Sequence, residues 1–329
     1  MSTNPERAFR VLASAALCGV GAELLSGYGP STGHAGQVAF GLVLFSALYG
    51  APALLVRELV RRHGWGWGSL LLFYAGLGVV QCCLVDQSLF SIDYQGYDGW
   101  QQAREGTWLP VLGISAYNAA TFVFGHMIFS FGAPIAIAEA WHPTSAKRSW
   151  LTPWGVALAV MAYGATAAMI VADPESHSAS TMQLIGSTAV VTIVFGLAAW
   201  VGSRRKPRVT PSPRPAVGVG TAVAAAGALG LVMEAVPPTW PGVTVYLCTG
   251  LLGGWLLTRS SSSPSWTTTH VAAVGLGVLM ARGVLAFVGE PVGGEVAPIP
   301  KYGHNVAMLA IVGVLGWWAL RRTSRVPTD

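Results

Sequence analysis

The sequence predicts an all-α protein, a polytopic membrane bundle of about ten transmembrane helices, and two observations support this prediction. Of 329 residues, 53% are hydrophobic and only 10% are charged, whereas soluble domains carry about 25% charged residues. Apolar runs of about 20 residues recur along the chain, and each is long enough to cross a hydrocarbon core about 30 Å thick. A water-facing surface cannot be built from this composition.

The spans follow one another with short polar connections that contain charged residues, Gly or Pro. In chain order they are predicted at Ala8–Tyr28, Gln37–Leu59, Trp67–Phe90, Val111–Ala140, Pro153–Ala172, Met182–Val201, Ala216–Ala235, Val243–Leu257, His270–Gly289 and Asn305–Leu320. The fourth span is long and the eighth is short for a crossing.

The first span resembles a secretory signal because Arg7 and Arg10 precede its apolar run. The run is long, however, and it reaches Glu23 before any clear cleavage site. Further spans follow it, so we interpret it as the first membrane anchor.

The basic residues predict the orientation of the chain. Counted from a cytoplasmic N-terminus, the inner segments hold sixteen of the 19 Lys and Arg residues, whereas the outer segments hold only Arg104 and Lys301. Positive residues are retained on the cytoplasmic side of membranes. We therefore expect a protein of the bacterial plasma membrane with both termini in the cytoplasm. The net charge of +5 reflects this orientation and attraction to membrane lipids, and it does not predict a nucleic-acid partner.

A Pro- and Arg-rich segment at 204–215 predicts a cytoplasmic linker between two units. Residues 1–203 form a six-span unit in this prediction, and residues 216–329 form a four-span unit. The second unit is rich in Gly and Ala, as in "GVGTAVAAAGALGLVM", which favours close helix packing. Whether the two halves of the chain share a structural repeat stays open.

Ionisable side chains within spans are costly, by about 2.5 to 3.5 kcal/mol at mid-helix, so each needs a partner, water or a function. Arg282 lies about 10 Å below the outer end of its span by helix rise. Glu23, Asp86 and Glu234 lie at similar depth, and we expect Arg282 to pair with at least one of them. Such a pair can fasten helices or belong to a binding site.

His126 lies near the middle of the fourth span, out of reach of either interface. Phe122, His126 and Ser130 are four residues apart and share one helix face, with Asn118 about two turns away. A buried neutral histidine with a local hydrogen bond is one interpretation. A proton carrier, a ligand-binding group or a metal ligand is the other.

The third span becomes polar toward its outer end. Cys82, Asp86 and Asp93 fall near one helical stripe with Gln81 beside it, and such a stripe predicts a water-accessible pocket that opens outward. The predicted binding residues are Glu23, Gln81, Asp86, Asp93, Asn118, His126, Glu234 and Arg282, and the acid/base candidates among them are Glu23, Asp86 and His126.

No metal site or cofactor is indicated by a motif. The four cysteines, at positions 18, 82, 83 and 248, show no spacing of a zinc site. The charged residues Arg57, Glu58, Glu139 and His142 lie at inner span ends, where we expect interfacial positions.

Two blocks of the first half, "YGAPALLVRELVRRHGWGWGSLLLFYAGLGVVQCCLVDQSLF" and "FGHMIFSFGAPIAIAEAWHP", resemble a group of uncharacterised, actinobacterial-type multi-pass membrane proteins. Phe122 to His126 also reads FxxxH, a pattern similar to one motif of the CAAX-protease and bacteriocin-processing intramembrane enzymes. That family pairs this motif with two adjacent glutamates, and this chain has Gln81 and Cys82 at the analogous place. The resemblance implies intramembrane acid/base or metal-assisted chemistry.

These patterns favour three classes of function. The first is a transporter or solute-binding permease-like protein, in which Glu23 and Asp86 bind a cation or proton beneath an acidic outer face. The second is an intramembrane enzyme that acts on a lipid or isoprenoid with Asp86, Glu23 and His126 as acid/base groups. The third is a structural or assembly partner. Membrane lipids are expected partners in each case, and the oligomeric state is undetermined.

Overall fold

The computed structural model describes residues 5–204, 217–263 and 265–322, and in these ranges the protein is helical apart from one small hairpin. Ten long helices, α1 to α10, cross the molecule. Several contain a π-helical segment, and each of these is numbered as one continuous helix. The bounds are Pro5–Leu24 (α1), Ala35–Arg62 (α2), Trp67–Val85 (α3), Ala116–Ala140 (α4), Pro153–Val171 (α5), Thr181–Arg204 (α6), Val219–Ala235 (α7), Trp240–Ser260 (α8), Thr268–Leu285 (α9) and Pro298–Arg322 (α10).

The predicted fold class is confirmed, because eight of these helices are long and apolar enough to cross a membrane. The remaining two are α1 and α7, and α7 is an apolar helix of 17 residues. The eighth span is longer than its prediction and runs for 21 residues, because Thr239 caps it early by accepting from the Gly242 amide.

The predicted third and fourth spans were too long, and local backbone geometry explains both differences. Helix α3 ends at Val85 because Gln87 adopts a left-handed conformation, with φ of 53°. Helix α4 begins at Ala116, after the β-hairpin of β1 (Trp108–Leu109) and β2 (Ile114–Ser115). Gly113 supplies the positive φ that the hairpin turn requires.

Four of the ten helices contain a π-helical segment in their interior or at their outer end. The segments are Val20–Leu24 in α1, Ser46–Gly50 in α2, Val80–Val85 in α3 and His126–Gly132 in α4. A π segment inserts an extra residue into the hydrogen-bond ladder, and such segments occur frequently at functional sites. Three of the four contribute a polar side chain to the candidate functional site.

Helix α9 is the central helix of the bundle. More than half of its residues are buried, and it packs against α7, α10 and the second half of α4. Gly277 on α9 faces the backbone of α7, where an added Cβ would collide with the Val223 carbonyl oxygen. Small residues therefore set the distance between α7 and α9, as expected for helices that cannot rely on the hydrophobic effect for association in lipid.

The outer surface of the bundle is apolar. No residue of α5 is buried, although the helix is one of the most hydrophobic in the chain, and α6 exposes large side chains such as Ile185 and Leu197. In contrast, charged residues are buried in the interior. This distribution is the inverse of that in a water-soluble protein and fits a lipid environment.

Charged residues at one end of the bundle form a buried network, although we predicted interfacial positions for them. Glu139 accepts from Arg57 Nε at 3.0 Å and from Arg61 Nη2 at 2.7 Å. The Arg57 guanidinium stacks on Trp150, with 3.5 Å from Cζ to the ring centroid. Glu58 accepts from the backbone amide of Trp150 at 2.8 Å. The network is buried because the loop after α4 folds back over the ends of α2 and α4.

The start of α1 and the end of α10 lie on the same face of the molecule as this network. Phe9 of α1 contacts Trp318 of α10, with ring centroids 5.9 Å apart, and the Arg7 side chain donates to the Trp150 carbonyl. The predicted linker at 204–215 begins with Arg204 at the end of α6, and its other residues lie outside the described ranges. Helices on both sides of the linker pack directly against each other, as α9 does with α4.

Candidate functional site

Polar side chains from several helices and the loops next to them converge near the end of the bundle opposite to the termini. We call this group the outer polar cluster. Its members are Glu23, Tyr28, Tyr49, Asp86, His126, Glu234 and Arg282.

Glu23 is the centre of the cluster. It lies in the π segment of α1, and its carboxylate accepts hydrogen bonds from the hydroxyls of Tyr49 and Tyr28. Both Arg282 and Asp86 lie close enough to interact with this carboxylate through space. Two phenols therefore hold Glu23 in place, and no Lys or Arg forms an ion pair with it within the described ranges.

Arg282 forms an ion pair with Glu234, one of its three predicted partners. Its Nη1 lies 3.0 and 3.1 Å from the two carboxylate oxygens of Glu234, and its Nη2 donates to Ser26 Oγ at 3.2 Å. The guanidinium also lies over the Phe129 ring, 4.6 Å from the centroid. Because Glu234 neutralises Arg282, little positive charge remains to compensate Glu23.

Asp86 directly follows the last residue of α3. One of its carboxylate oxygens accepts from the backbone amide of Ser88 at 2.8 Å. Burial, together with a smaller effect of the nearby charge of Glu23, raises the pKa of Asp86 to about 6, although the hydrogen bonds from Ser88 oppose this shift. Asp86 thus lies where a proton or a cation can be bound near neutral pH.

His126 begins the π segment of α4 and lies on the inner side of Glu23. Its Nδ1 lies 3.0 Å from Ser130 Oγ, which confirms the predicted shared face of these two residues. The imidazole stacks on Tyr49, with ring centroids 5.4 Å apart and an interplanar angle of 25°. Glu23, Tyr49 and His126 therefore form a continuous series of contacts that extends toward the middle of the bundle.

Aromatic rings cover the outer side of the carboxylates. Tyr94 lies within electrostatic reach of both Asp86 and Glu23, and its ring packs on Trp100 with centroids 5.1 Å apart. Tyr97 packs on Tyr28 at 6.4 Å, and Trp100 donates from Nε1 to the Ser91 carbonyl at 3.2 Å. Burial and the Glu23 charge both raise the pKa of Tyr97, so its phenol stays protonated at neutral pH. The loop after α3 thus forms an aromatic cover next to the carboxylates.

The cluster is enclosed but not sealed. Protein atoms surround Glu23, Asp86 and His126, yet each of these side chains keeps some accessible surface, whereas neighbours such as Tyr49 and Gln81 are buried. This arrangement fits a small polar pocket below the aromatic cover.

Three predicted site residues lie at the edge of the cluster or outside it. Gln81 is buried and donates to the Leu48 carbonyl at 3.1 Å, so it bridges α2 and α3. Asn118 is buried in the first turn of α4, where its backbone amide donates to the side chain of Ser115. Asp93 is exposed in the loop, because α3 ends before it, so the predicted stripe with Cys82 and Asp86 does not reach it.

The phenols that hold Glu23 were not among the predicted site residues. Tyr49 lies in the apolar second span and Tyr28 in the loop after α1, and neither position belongs to a motif. The available signal was weak: a tyrosine that is buried in an apolar span usually finds a partner for its hydroxyl.

A metal centre is not indicated by the residues that the structure describes, since no group of three or more His, Cys, Asp or Glu side chains could hold an ion. Cys82 and Cys83 lie next to each other with their sulfurs 3.7 Å apart, and both are buried. Cys248 is exposed on α8.

The sequence profile of an uncharacterized membrane protein family matches residues 12–321, which is nearly the whole chain. A search of the curated proteins and a search of the solved structures gave no match. The function is therefore inferred from the site itself.

Proposed function

Since the chain belongs to this uncharacterized membrane protein family, we propose that it is a transporter or permease-like protein of the bacterial plasma membrane that binds a small organic cation in the outer polar cluster. The observation that supports this proposal most directly is the pair of carboxylates, Glu23 and Asp86, that has no cationic partner among the described ion pairs. Arg282, the nearby base, is neutralised by Glu234.

The charge of the cluster favours a cationic ligand. A buried carboxylate without a counter-ion is costly, and it is stabilised either by a proton or by a bound cation. Two such groups in one pocket repel each other, as the effect of Glu23 on Asp86 indicates. A ligand with one positive charge relieves this repulsion when it binds between them.

The aromatic cover favours an organic cation over a simple metal ion. Tyr94, Tyr97 and Trp100 present ring faces and edges above the carboxylates. Amines and quaternary ammonium groups bind to such rings through cation–π interactions, which contribute about 0.5 to 2 kcal/mol each. Hard metal ions instead require several oxygen ligands in a regular geometry.

Transport through the inner half of the bundle requires a conformational change, because this half is closed in the structure. The buried network of Arg57, Arg61, Glu58 and Glu139 closes the cytoplasmic end, and apolar side chains such as Phe131 and Ile135 fill the space between it and His126. In this proposal the structure corresponds to an outward-facing state. The π segments around the cluster supply positions where α1 to α4 can bend.

Uptake into sealed proteoliposomes tests this function. Radiolabelled methylammonium and tetramethylammonium serve as probes, with and without an imposed proton or sodium gradient. We expect saturable uptake by the wild-type protein, reduced at least tenfold in Glu23→Gln and Asp86→Asn, because each variant removes one of the two charges. Asp93→Asn is the matched control and should transport normally, since Asp93 is exposed in the loop.

Monodispersity in detergent must be checked for every variant. If both cluster variants fold and transport like the wild type, the cluster is not the binding site. If the wild-type protein shows no saturable uptake of either cation under any gradient, transport of small organic cations is excluded.

The second candidate is an intramembrane enzyme that acts on a lipid or isoprenoid substrate. The series Glu23, Tyr49 and His126 favours it, because a carboxylate, a phenol and an imidazole in sequential contact are groups that general acid/base catalysis uses. Turnover of a lipid extract by the detergent-solubilised protein, without any gradient and with loss of activity in Glu23→Gln, would support the enzyme over the transporter.

A further inference from the structure

An apolar cavity among the described residues is separate from the carboxylates Glu23 and Asp86 and lies between helices on the other side of the Arg282–Glu234 ion pair. It is a groove of about 280 Å³ between α3, α4, α7, α8 and α9. Its walls are aliphatic or aromatic except for the hydroxyls of Thr249 and Ser260. We call it the inner groove.

The inner groove has two distinct ends. Trp67, Val217, Ser260 and Trp266 line the end near the basic face of the molecule. Met233 and Val278 line the other end. Met233 precedes Glu234 in α7, and Val278 lies one helical turn before Arg282 in α9. The groove therefore extends from the basic face to the residues next to the Arg282–Glu234 ion pair.

The glycines of α8 show that the groove is not a byproduct of close helix packing. Between α7 and α9, glycines allow direct backbone contact, as the collision of a Cβ at Gly277 shows. In α8, by contrast, a Cβ at Gly253 or Gly254 would meet its nearest neighbours, Leu229 Cδ1 and Leu71 Cδ1, only at 3.9 Å. These two glycines keep space open where no neighbouring helix fills it.

Water cannot fill this space well, because a buried water needs two to four polar partners and the walls supply almost none. A hydrocarbon chain, in contrast, makes van der Waals contacts with these apolar walls and needs no polar partner. Unfilled space would also leave the lining side chains without dispersion contacts. The chemistry of the groove thus selects a hydrocarbon chain.

The charge next to the end of the groove near the basic face selects the headgroup of the lipid that carries the chain. Arg259 lies next to Ser260 at the end of α8 and stacks on Trp255, 5.6 Å from the ring centroid. Trp67 and Trp266 are the residue type that favours headgroup depth. Basic residues at this depth attract anionic lipids, by about 1 kcal/mol each.

We propose that the inner groove binds one acyl chain of an anionic phospholipid, taken from the leaflet on the basic face of the molecule. The headgroup is held by Arg259, next to the groove residue Ser260. The end of the chain contacts Met233 and Val278, so the lipid supports the two helices that present Glu234 and Arg282. This binding does not depend on what the outer polar cluster binds.

Native mass spectrometry of the detergent-washed protein tests the proposal, with Gly254→Leu as the main variant. A leucine at this position projects into the groove without a backbone collision. Gly164→Leu is the matched control, because Gly164 is an exposed helix residue on α5 with no atom within 4 Å of an added Cβ. Phosphatidylglycerol and phosphatidylcholine, added at equal concentrations, are the probes.

We expect the wild-type protein and Gly164→Leu to retain one phosphatidylglycerol, and Gly254→Leu to retain at least fivefold less. Gly254→Ala should give an intermediate loss, and it replaces the leucine variant if that variant fails to fold. Arg259→Gln should lower the preference for phosphatidylglycerol severalfold. Equal retention by Gly254→Leu and the wild type would overturn the proposal, as would equal losses in Gly254→Leu and Gly164→Leu. Equal retention of both lipids by the wild type would overturn the proposed preference for an anionic headgroup.

Discussion

At the scale of single residues, Glu23 and Asp86 differ from every other buried carboxylate that the structure describes. Glu58, Glu139 and Glu234 each have an arginine within 3.0 Å. Glu23 has two phenols instead, and Asp86 has the amide of Ser88. The other three buried carboxylates thus each form an ion pair with an arginine, whereas the hydrogen bonds described for Glu23 and Asp86 come from neutral donors.

Asp86 provides a prediction about stability and pH. Its folded-state pKa of about 6 lies above the ordinary value, so the folded protein binds the proton more tightly than the unfolded chain does. Stability therefore falls as the pH rises from about 4 to 6, because the carboxyl group loses its proton in the folded protein. The full cost of burying the charged carboxylate persists above that pH window. Asp86→Asn removes the cost and keeps the acceptor for the Ser88 amide. We expect it to raise the melting temperature by about 2 °C or more at pH 7.5 and to change it little at pH 4.

Thermal melting in detergent, followed by tryptophan fluorescence, measures this effect. Asp93→Asn is the control, since Asp93 is exposed and should show no such pH-dependent gain. A stabilisation of Asp86→Asn that is equally large at pH 4 and pH 7.5 would contradict the assigned cause.

At the scale of elements, the π segments and the charge network divide the bundle into two different ends. The π segments of α1, α2 and α4 meet around Glu23, Tyr49 and His126. Each π segment changes the direction of the side chains that follow it, because its extra residue shifts the helix face by about one position. The other end is fixed by arginines that bind carboxylates on neighbouring elements, and it has no described π segment. We infer that the helices can bend at the outer end, whereas the inner end stays rigid.

The rigidity of the inner end gives a prediction for Glu139. This carboxylate pairs with Arg57 and Arg61, both of which are buried, so Glu139→Gln leaves Arg61 without a counter-ion and leaves Arg57 only with Glu58, at 3.7 Å. Breaking a buried ion pair costs about 3 to 5 kcal/mol. We expect a melting temperature lower by about 5 °C or more, or a strongly reduced yield of folded protein.

Arg62→Gln is the matched control for Glu139→Gln. Its side chain also binds a buried carboxylate, Glu58, but it is 44% exposed, and exposed pairs contribute about 0 to 1 kcal/mol. If the two variants melt at the same temperature, the network does not fix the inner end.

At the scale of the whole molecule, the distribution of charge predicts the orientation in the membrane. The start of α1 and the end of α10 lie at the same end of the bundle as the charge network, and the loops with Asp93, Asp98 and Glu290 lie at the other end. Because positive residues are retained on the cytoplasmic side of membranes, we predict that the first end faces the cytoplasm. The outer polar cluster then opens to the exterior of the cell.

Reporter fusions test this orientation. Green fluorescent protein fused after the C-terminus should fluoresce, and alkaline phosphatase fused after Glu290, in the loop between α9 and α10, should be active, because it is active only outside the cytoplasm. An inactive phosphatase fusion together with an active C-terminal phosphatase fusion would show the opposite orientation and would place the cluster inside the cell.

The sequence by itself determined the class of fold and the order of the spans, because the length and apolarity of a membrane helix are local properties of the chain. It also indicated the ionisable residues within the spans, since their cost in hydrocarbon is independent of their partners. It predicted three possible partners for Arg282, and the structure selects Glu234.

Only the tertiary structure decided which of these residues meet. The phenols of Tyr28 and Tyr49 reach Glu23 across three elements, and the arginines near Glu139 become buried because a distant loop covers them. The end of α3 before Asp93 depends on the left-handed conformation of Gln87, a residue that rarely adopts it. Contacts between segments far apart in the chain have no local pattern, so the pocket and the inner groove appear only when the helices are packed together.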